Sequence, residues 1–273
     1  MRLDLHLHTD RSDGWDAPQT VLVAVRQRGL RLWSVTDHDS VDAYARLHGE
    51  AGLLPGVEIS AESGAREVHI LGLGIDPDHP VLARLLARIV DLRERRAAQM
   101  LTHVASARRC PIPLAACRCP PARVITRSHI ARALVRAGVA RNFAQVFDEL
   151  LGDAIIAGLA LPELPPVPEV AEVIRAAGGV ALLAHPGHLG DCAAIRAVLA
   201  EGLDGLELKH PRCDAGLQEQ LRALVAAEGL IISAGSDHHG GPPGRRAPLR
   251  IGDFRLSHAE VAPLLARVGD RVG

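Results

Sequence analysis

The chain has 273 residues, 48% of them hydrophobic, with a formal net charge of −1. That length suits one large α/β domain, or a domain carrying an insert, with a sizeable core. Near-neutral charge argues against stable binding of duplex nucleic acid, and 2% aromatic content argues against a stacking platform along single strands.

The opening run, MRLDLHLHTDRSDG, alternates Leu3, Leu5 and Leu7 with Asp4, His6 and His8. This is the period of a strand with one leucine face. The other face sets two imidazoles side by side, which fits either a solvated surface strand or a buried pair satisfied by a metal ion. A helix is predicted over 17–29, then a strand over 30–38 ending at His38, and a helix over 41–52. LLPGVEIS brings up Glu58, and REVHILGLGI carries His69. Residues 77–165 read differently, as mostly helical pattern broken by CPIPLAACRCPP. Alternation then resumes: a helix over 167–179 precedes VALLAHPG with His185, a helix over 192–202 precedes LDGLELKHP with Glu207, and a helix over 215–229 precedes LIISAGSDHHGG with Asp237 and His239.

Strand–helix–strand alternation predicts parallel strands with covering helices. In such a barrel the C-terminal strand ends converge on one face, where chemistry sits. His6, His8, Asp13, His38, Glu58, His69, His185, Asp237 and His239 all fall at such ends or in the loops beside them. Imidazole and carboxylate at corresponding places point to a metal centre. His48, His79, His103 and His258 lie on helical or loop segments and are expected to be solvated, and strand alternation turns His238 away from the site. Asp37 and Asp39 flank His38, where one of them could orient the imidazole.

The five cysteines make no regular framework, since Cys110, Cys117 and Cys119 cluster while Cys192 and Cys213 are distant. Reduced thiols in a cytoplasm are expected. The N-terminus shows no signal-peptide core, and no apolar run reaches the roughly 18 residues of a membrane span. A soluble, cytoplasmic protein follows as the expectation.

HLHTDRSDG, TDHD, GVEIS, EVHILGLG, RSHIARALV, LLAHPG, LELKHP and GSDHHG, in that order, resemble the PHP (polymerase and histidinol phosphatase) superfamily. The branch it looks most like comprises nucleoside 3',5'-bisphosphate phosphatases and 5'-3' oligoribonucleases. The resemblance spans essentially the whole chain. It implies a distorted (β/α)7 barrel, formed by residues 1–76 and 166–273, with residues 77–165 as a helical, arginine-rich lid. It also implies two or three divalent ions (Mn, Fe or Zn) and hydrolysis of phosphate esters by a metal-activated hydroxide. His6, His8, Glu58 and Asp237 then match one site, Glu58 bridges to a second held by His69 and His185, and Asp13, His38 and His239 match a third. Paired cations in such sites lie about 3.5–4 Å apart and offset charge on the phosphoryl group, and a donor set without thiolates fits these metals.

Between Arg84 and Arg141 there are thirteen arginines against Asp91 and Glu94, a local charge of +11. Of 31 basic residues only Lys209 is lysine, and arginine suits bidentate phosphate binding. Arg84, Arg88, Arg93, Arg95 and Arg96 are expected mostly on a solvated helix face, while a cationic lid over a metal site would gather polyanions. The resemblance assigns Arg127 and His129 to substrate phosphate. Ser128 stands where the family has proline, LLGDAIIAGLALP lacks the family's tyrosine, lysine and the glycine replaced by Ala154, and Lys209 stands where tyrosine is common. The expected function is a metal-dependent phosphoesterase acting on 3',5'-nucleoside bisphosphates or short 5'-phosphorylated oligonucleotides. The alternatives are a phosphatase of another small phosphate such as histidinol phosphate, or a non-catalytic metal-binding module. Oligomeric state is not legible.

Overall fold

The computed structural model describes residues 1–241 and 251–273. In chain order the elements are β1 (Leu3–Asp4), α1 (Pro18–Arg28), β2 (Leu32–Trp33), α2 (Tyr44–Leu47), β3 (Gly56–Ser63), β4 (Arg66–Leu73), α3 (Pro80–Arg108), α4 (Arg127–Arg136), α5 (Phe143–Glu149) and α6 (Asp153–Ala157). They continue with α7 (Val167–Ala176), β5 (Val180–Leu183), α8 (Cys192–Leu199), β6 (Gly205–Lys209), α9 (Ala215–Glu228), β7 (Ile231–Ala234) and α10 (His258–Val268).

β3, β4, β5, β6 and β7 form one sheet in that order, and β1 pairs with β2 in parallel beside it. Isolated parallel bridges, Leu7 with His238 and His38 with Glu58, tie the pair to the two edges of the larger sheet. β5, β6 and β7 run parallel, as the alternation predicts. β4 differs: it runs antiparallel to both β3 and β5. Only Gly64 and Ala65 separate β3 from β4, with Gly64 at φ +59°. A two-residue link of this kind can join only antiparallel neighbours, because a parallel return needs a crossover of a dozen residues or more.

The main core lies between this sheet and its helices, with Ile59, Ile70, Leu71, Leu182, Leu183 and Leu206 buried at its centre. α3 serves two cores. Leu82, Leu85, Leu86 and Ile89 on its first turns join the main core, whereas Ala97, Met100, Leu101 and Val104 join a second one with Ile130, Leu134, Val146 and Leu151. Spacing by three and four keeps both sets on one stripe of the helix. α4 begins in a capping box: Thr126 accepts from the His129 N–H and the His129 ring accepts from the Thr126 N–H, satisfying two otherwise orphaned donors.

Candidate metal centre and its cavity

The short strands deliver their side chains to one end of the sheets. His6 and His8 follow β1, His38 follows β2, and Asp237 and His239 follow β7, while Glu58 and His69 stand within β3 and β4. Glu58 sits at the middle. Its Oε2 lies 3.2 Å from His6 Nε2, 3.2 Å from His8 Nε2 and 3.0 Å from His38 Nδ1. Its Oε1 lies 3.0 Å from His69 Nδ1 and 2.9 Å from His185 Nε2. His8 Nε2 is 3.2 Å from Asp237 Oδ1, and His239 Nε2 is 3.1 Å from Asp13 Oδ1. All nine residues singled out in the sequence are therefore in one cluster. Asp237, at φ +53°, and His185, at φ +31°, hold the left-handed backbone conformation that ordinary side chains avoid.

Several polar atoms in this crowded cluster lack an aligned hydrogen-bond partner. His6 Nε2 and His8 Nε2 face each other at 3.1 Å. Glu58 Oε2, Asp13 Oδ1, His38 Nδ1 and His8 Nδ1 are buried without a hydrogen-bond partner. Glu58 Oε2 is thus within reach of three ring nitrogens and aligned with none. Buried polar atoms in that condition are costly, and lone pairs converging on a shared point suit a divalent cation. Among the described residues four overlapping groups could hold one: His8–Asp13–His38–His239, His6–His8–Glu58, His6–His210–Asp237 and His38–Glu58–His69. The donors fit the metals that the mixed imidazole and carboxylate set implies.

The electrostatics agree. Burial alone would push the Glu58 carboxyl up, but the imidazoles of His38, His6 and His69 hold it well below the usual carboxylate range. Burial likewise opposes charge at His239 and His69, yet Asp13 and Asp237 lift the first to about 10, and Glu58 lifts the second to about 9. At His185 burial prevails, and its pKa falls to about 4.

Outside the nine, four carboxylates and one imidazole complete the arrangement; the sequence places Glu207 on a strand leading to the site and Asp37 beside His38 but does not show what either binds. Glu207, fully buried, lies 3.2 Å from His6 Nδ1 and accepts the His185 N–H at 2.8 Å. Gly235 makes room for this contact, since a Cβ there would fall 2.2 Å from His6 Cβ. Asp4 accepts from the Ser236 and Gly252 N–H groups, both at 2.9 Å. Asp37 accepts from the Thr9 N–H at 2.7 Å and from the Ser12 hydroxyl at 2.6 Å, fixing the loop that delivers Asp13. Glu67 lies 3.6 Å from His69 Nε2 and 2.7 Å from Arg96 Nη2. His210 Nε2 is 3.3 Å from Asp237 Oδ2. The carboxylates flanking His38 do not orient its ring: Asp37 serves the Thr9–Ser12 loop, and Asp39 binds the Ser60 N–H at 2.8 Å and Arg93 Nε at 2.5 Å.

Two arginines depart from the solvated face expected of them. Arg93 and Arg96 are buried, drawn inward by Asp39 and Glu67, whereas Arg84, Arg88 and Arg95 are exposed. His48 and His258 are exposed, but His79 and His103 are half-buried. His238 turns away from the cluster, its Nε2 lying 3.3 Å from Asp16 Oδ2.

The cluster opens into a cavity of about 970 Å3 that Asp13, His38, His69, His185, Asp237 and His239 line on one side. Arg66, Arg93, Arg96, Arg127, Arg132 and Arg212 also reach it. Arg127 Nη1 is 2.5 Å from Asp153 Oδ1, a carboxylate 83% exposed. Ser128 and Ala154, the two departures flanking this pair, lie on the cavity wall. Lys209 does not line the cavity; its Nζ donates to the Arg255 carbonyl at 2.6 Å. His129 is fully buried and also outside the lining, and burial pushes its pKa down to about 4. All five cysteines are free thiols, and among the described residues none joins a potential metal-binding group. Among the described residues no helix is long and apolar enough to cross a membrane.

No family model matches the chain. It is 32% identical over 248 residues to the 5'-3' exoribonuclease Rnm of Escherichia coli, covering 86% of this chain and 84% of that one. It is 32% identical over 281 aligned positions to the 3',5'-nucleoside bisphosphate phosphatase of Chromobacterium violaceum, covering 97% and 94%. Among solved structures, a Bifidobacterium adolescentis protein assigned as a metal-dependent phosphoesterase superposes with a TM-score of 0.80 at 29% identity, covering 98% of this chain and 96% of that one.

Proposed function

This chain belongs to the PHP superfamily of metal-dependent phosphoesterases, in the branch that holds nucleoside bisphosphate phosphatases and 5'-3' exoribonucleases, and we propose that it hydrolyses phosphate esters of nucleotides. The substrates are 3',5'-nucleoside bisphosphates or short 5'-phosphorylated oligonucleotides. The observation carrying this reading is Glu58 Oε2, within 3.2 Å of three imidazole nitrogens and hydrogen-bonded to none, buried behind His38, His69 and His185, which line a cavity that six arginines also reach.

Residues 1–76 and 166–273 act as a distorted seven-stranded barrel, and 77–165 as its lid. His6, His8, Glu58 and Asp237 would hold one divalent ion, Glu58, His69 and His185 a second, and Asp13, His38 and His239 a third. Mn, Fe or Zn suits these donors. When bound, such ions supply a water activated near neutral pH and positive charge for the phosphoryl oxygens. The chain does the rest. Glu207 accepts a hydrogen bond from the His6 Nδ1–H and so leaves the Nε2 lone pair free to hold a metal. Asp37 fixes the loop carrying Asp13. Arg127 binds a phosphate by charge-assisted hydrogen bonds, and His129 serves it from behind by closing the first turn of α4.

The test is a screen of the manganese-loaded protein against adenosine 3',5'-bisphosphate, 5'-phosphorylated di- and trinucleotides, cyclic nucleotides and histidinol phosphate. Turnover of the first two groups is expected. Turnover confined to histidinol phosphate would replace this reading with the small-phosphate one, and a chain inert on every phosphate ester would leave the non-catalytic module.

A further inference from the structure

Part of the cavity wall differs in character. Phe143, Phe147, Ile156, Leu159 and Leu161 line it there. The chain has only six aromatic residues. Trp33 and Tyr44 are buried in a core beside α1, and Phe254 packs against the main core. The other three, Trp15, Phe143 and Phe147, all line this cavity. Phe143 and Phe147 stand four residues apart on α5 and therefore share a face. Their ring centroids are 6.5 Å apart and tilted by 40°. Phe147 is half-buried against the second core and supports Phe143, which is 37% exposed.

The wall has a fixed relation to the metal cluster. Thr126, at the start of α4, donates its hydroxyl to Asp13 Oδ2 at 3.1 Å. α5 packs on α4, so the phenylalanine face is carried by the helix next to the one whose cap touches Asp13. At the rim Arg132 lies 3.9 Å over the Trp15 ring and donates to the Asp13 carbonyl, which fixes both side chains. The cavity lining is thus amphipathic, imidazole, carboxylate and arginine making part of it and the apolar side chains of α5, α6 and the segment after α6 another part. Its volume of about 970 Å3 is at the upper end for small-molecule sites. Inorganic phosphate or a short polyol phosphate would leave the aromatic part facing water. A nucleotide matches both parts, with phosphate on the charged one and a base of two π faces on the other.

We infer that Phe143, backed by Phe147, is a nucleobase-stacking subsite, so that the chain reads its substrate by the base as well as by phosphate. This inference rests on the nucleotide reading above. It also gives a use to a small number of rings: composition excludes a platform along a strand, but one base needs one exposed ring.

The test compares kcat/KM for adenosine 3',5'-bisphosphate with that for its abasic counterpart, in which a tetrahydrofuran ring carries both phosphates. The wild-type protein should prefer the base-bearing substrate by about tenfold or more, the range that base–aromatic stacking supports. Phe143→Ala and Phe143→Leu should lose most of that ratio, and Phe143→Trp should keep it. A second readout is equilibrium binding of 2-aminopurine riboside 5'-monophosphate to the metal-loaded protein, where stacking quenches the probe in wild type and not in Phe143→Ala. A ratio unchanged by Phe143→Ala, or binding without quenching, overturns the subsite and leaves the phosphoesterase reading intact. A wild-type protein inert on both bisphosphates and on 5'-phosphorylated di- and trinucleotides overturns the nucleotide reading instead, and the fluorescence measurement then decides the subsite by itself.

Discussion

Glu207 and Glu58 grip the His6 ring from opposite sides, with Glu207 Oε1 3.2 Å from Nδ1 and Glu58 Oε2 3.2 Å from Nε2. The two carboxylates differ in role. Glu207 has its second oxygen on the His185 N–H, so it positions two of the candidate ligands and is itself in none of the four candidate groups. Glu207→Gln replaces an acceptor by an amide that can offer His6 Nδ1 the wrong partner. Metal affinity is expected to fall by about 10–100-fold, read by titration of the metal-free protein. An unchanged affinity would remove Glu207 from any positioning role.

Glu58→Ala removes both oxygens from the middle of five imidazoles. Turnover should be abolished while the far-ultraviolet circular dichroism is retained. Metal content should drop by at least one equivalent, because the candidate groups around Glu58 lose their shared donor. Activity near that of wild type would show that Glu58 joins no two ions.

Arg93 carries a different load. Its Nε binds Asp39 Oδ2 at 2.5 Å with both side chains buried, and its Nη2 reaches the Ser60 hydroxyl. α3 is thereby latched to the residue that follows His38. Arg93→Met leaves Asp39 buried without its cation, a change that costs about 3–5 kcal/mol when a buried pair is broken on one side. Combining it with Asp39→Asn should recover part of that loss. Chemical denaturation of the two single variants and the double variant gives the coupling. Additive losses would mean the latch contributes nothing as a pair.

Seven of the nine candidate ligands were legible because each follows a strand or lies in the loop beside it, a placement that chain order reveals; Glu58 and His69 instead stand inside β3 and β4. The hairpin of β3 and β4 was legible too, in the short Gly64–Ala65 link, but the expectation of parallel alternation passed over it. Glu207 was legible as a carboxylate on a strand leading to the site but not in its role, since its partner His6 is 201 residues away. Arg93 and Arg96 share a helix face with apolar neighbours, and only Asp39 and Glu67, contributed by distant segments, turn that face into a buried one. Composition counts rings without locating them, so it could not show that Trp15, Phe143 and Phe147 meet in one cavity.

Away from the cluster, acid sensitivity should come in part from α10. Glu260 accepts from the Ser257 N–H at 2.7 Å and pairs with Arg222 at 2.7 Å. Slight burial works against the charge, but the cap and Arg222 hold the carboxyl down at about 2, from an ordinary 4.5. A carboxylate depressed on folding contributes stability that is complete above about pH 4.5 and lost as pH falls towards 2. Glu260→Gln should therefore lower the melting temperature at pH 6 and converge on wild type near pH 2–3. The pair is partly exposed, so the effect should shrink in salt. A difference that stayed constant from pH 6 to pH 3 would show that the charge plays no part.

The nucleotide reading also fixes how the substrate's charges are shared. The candidate ligands gather at one place, and Arg127 stands elsewhere on the same cavity wall, paired with Asp153, whose carboxylate is 83% exposed. An exposed carboxylate is a weak competitor for a guanidinium, so a second substrate phosphate can take its place. A substrate with one phosphate has nothing to offer Arg127 once that phosphate is committed to the cluster. Binding energy from the remote phosphate positions the reacting one, and its absence lowers kcat/KM. Adenosine 3',5'-bisphosphate should therefore exceed AMP and histidinol phosphate in kcat/KM. Arg127→Ala should narrow that gap by about 10–100-fold, since a charge-assisted hydrogen bond contributes about 1.5–3 kcal/mol. High salt should narrow it as well, in proportion to how exposed the contact stays. Equal values for the three substrates would remove the second-phosphate requirement, and a gap untouched by Arg127→Ala would move it to another of the cavity's arginines.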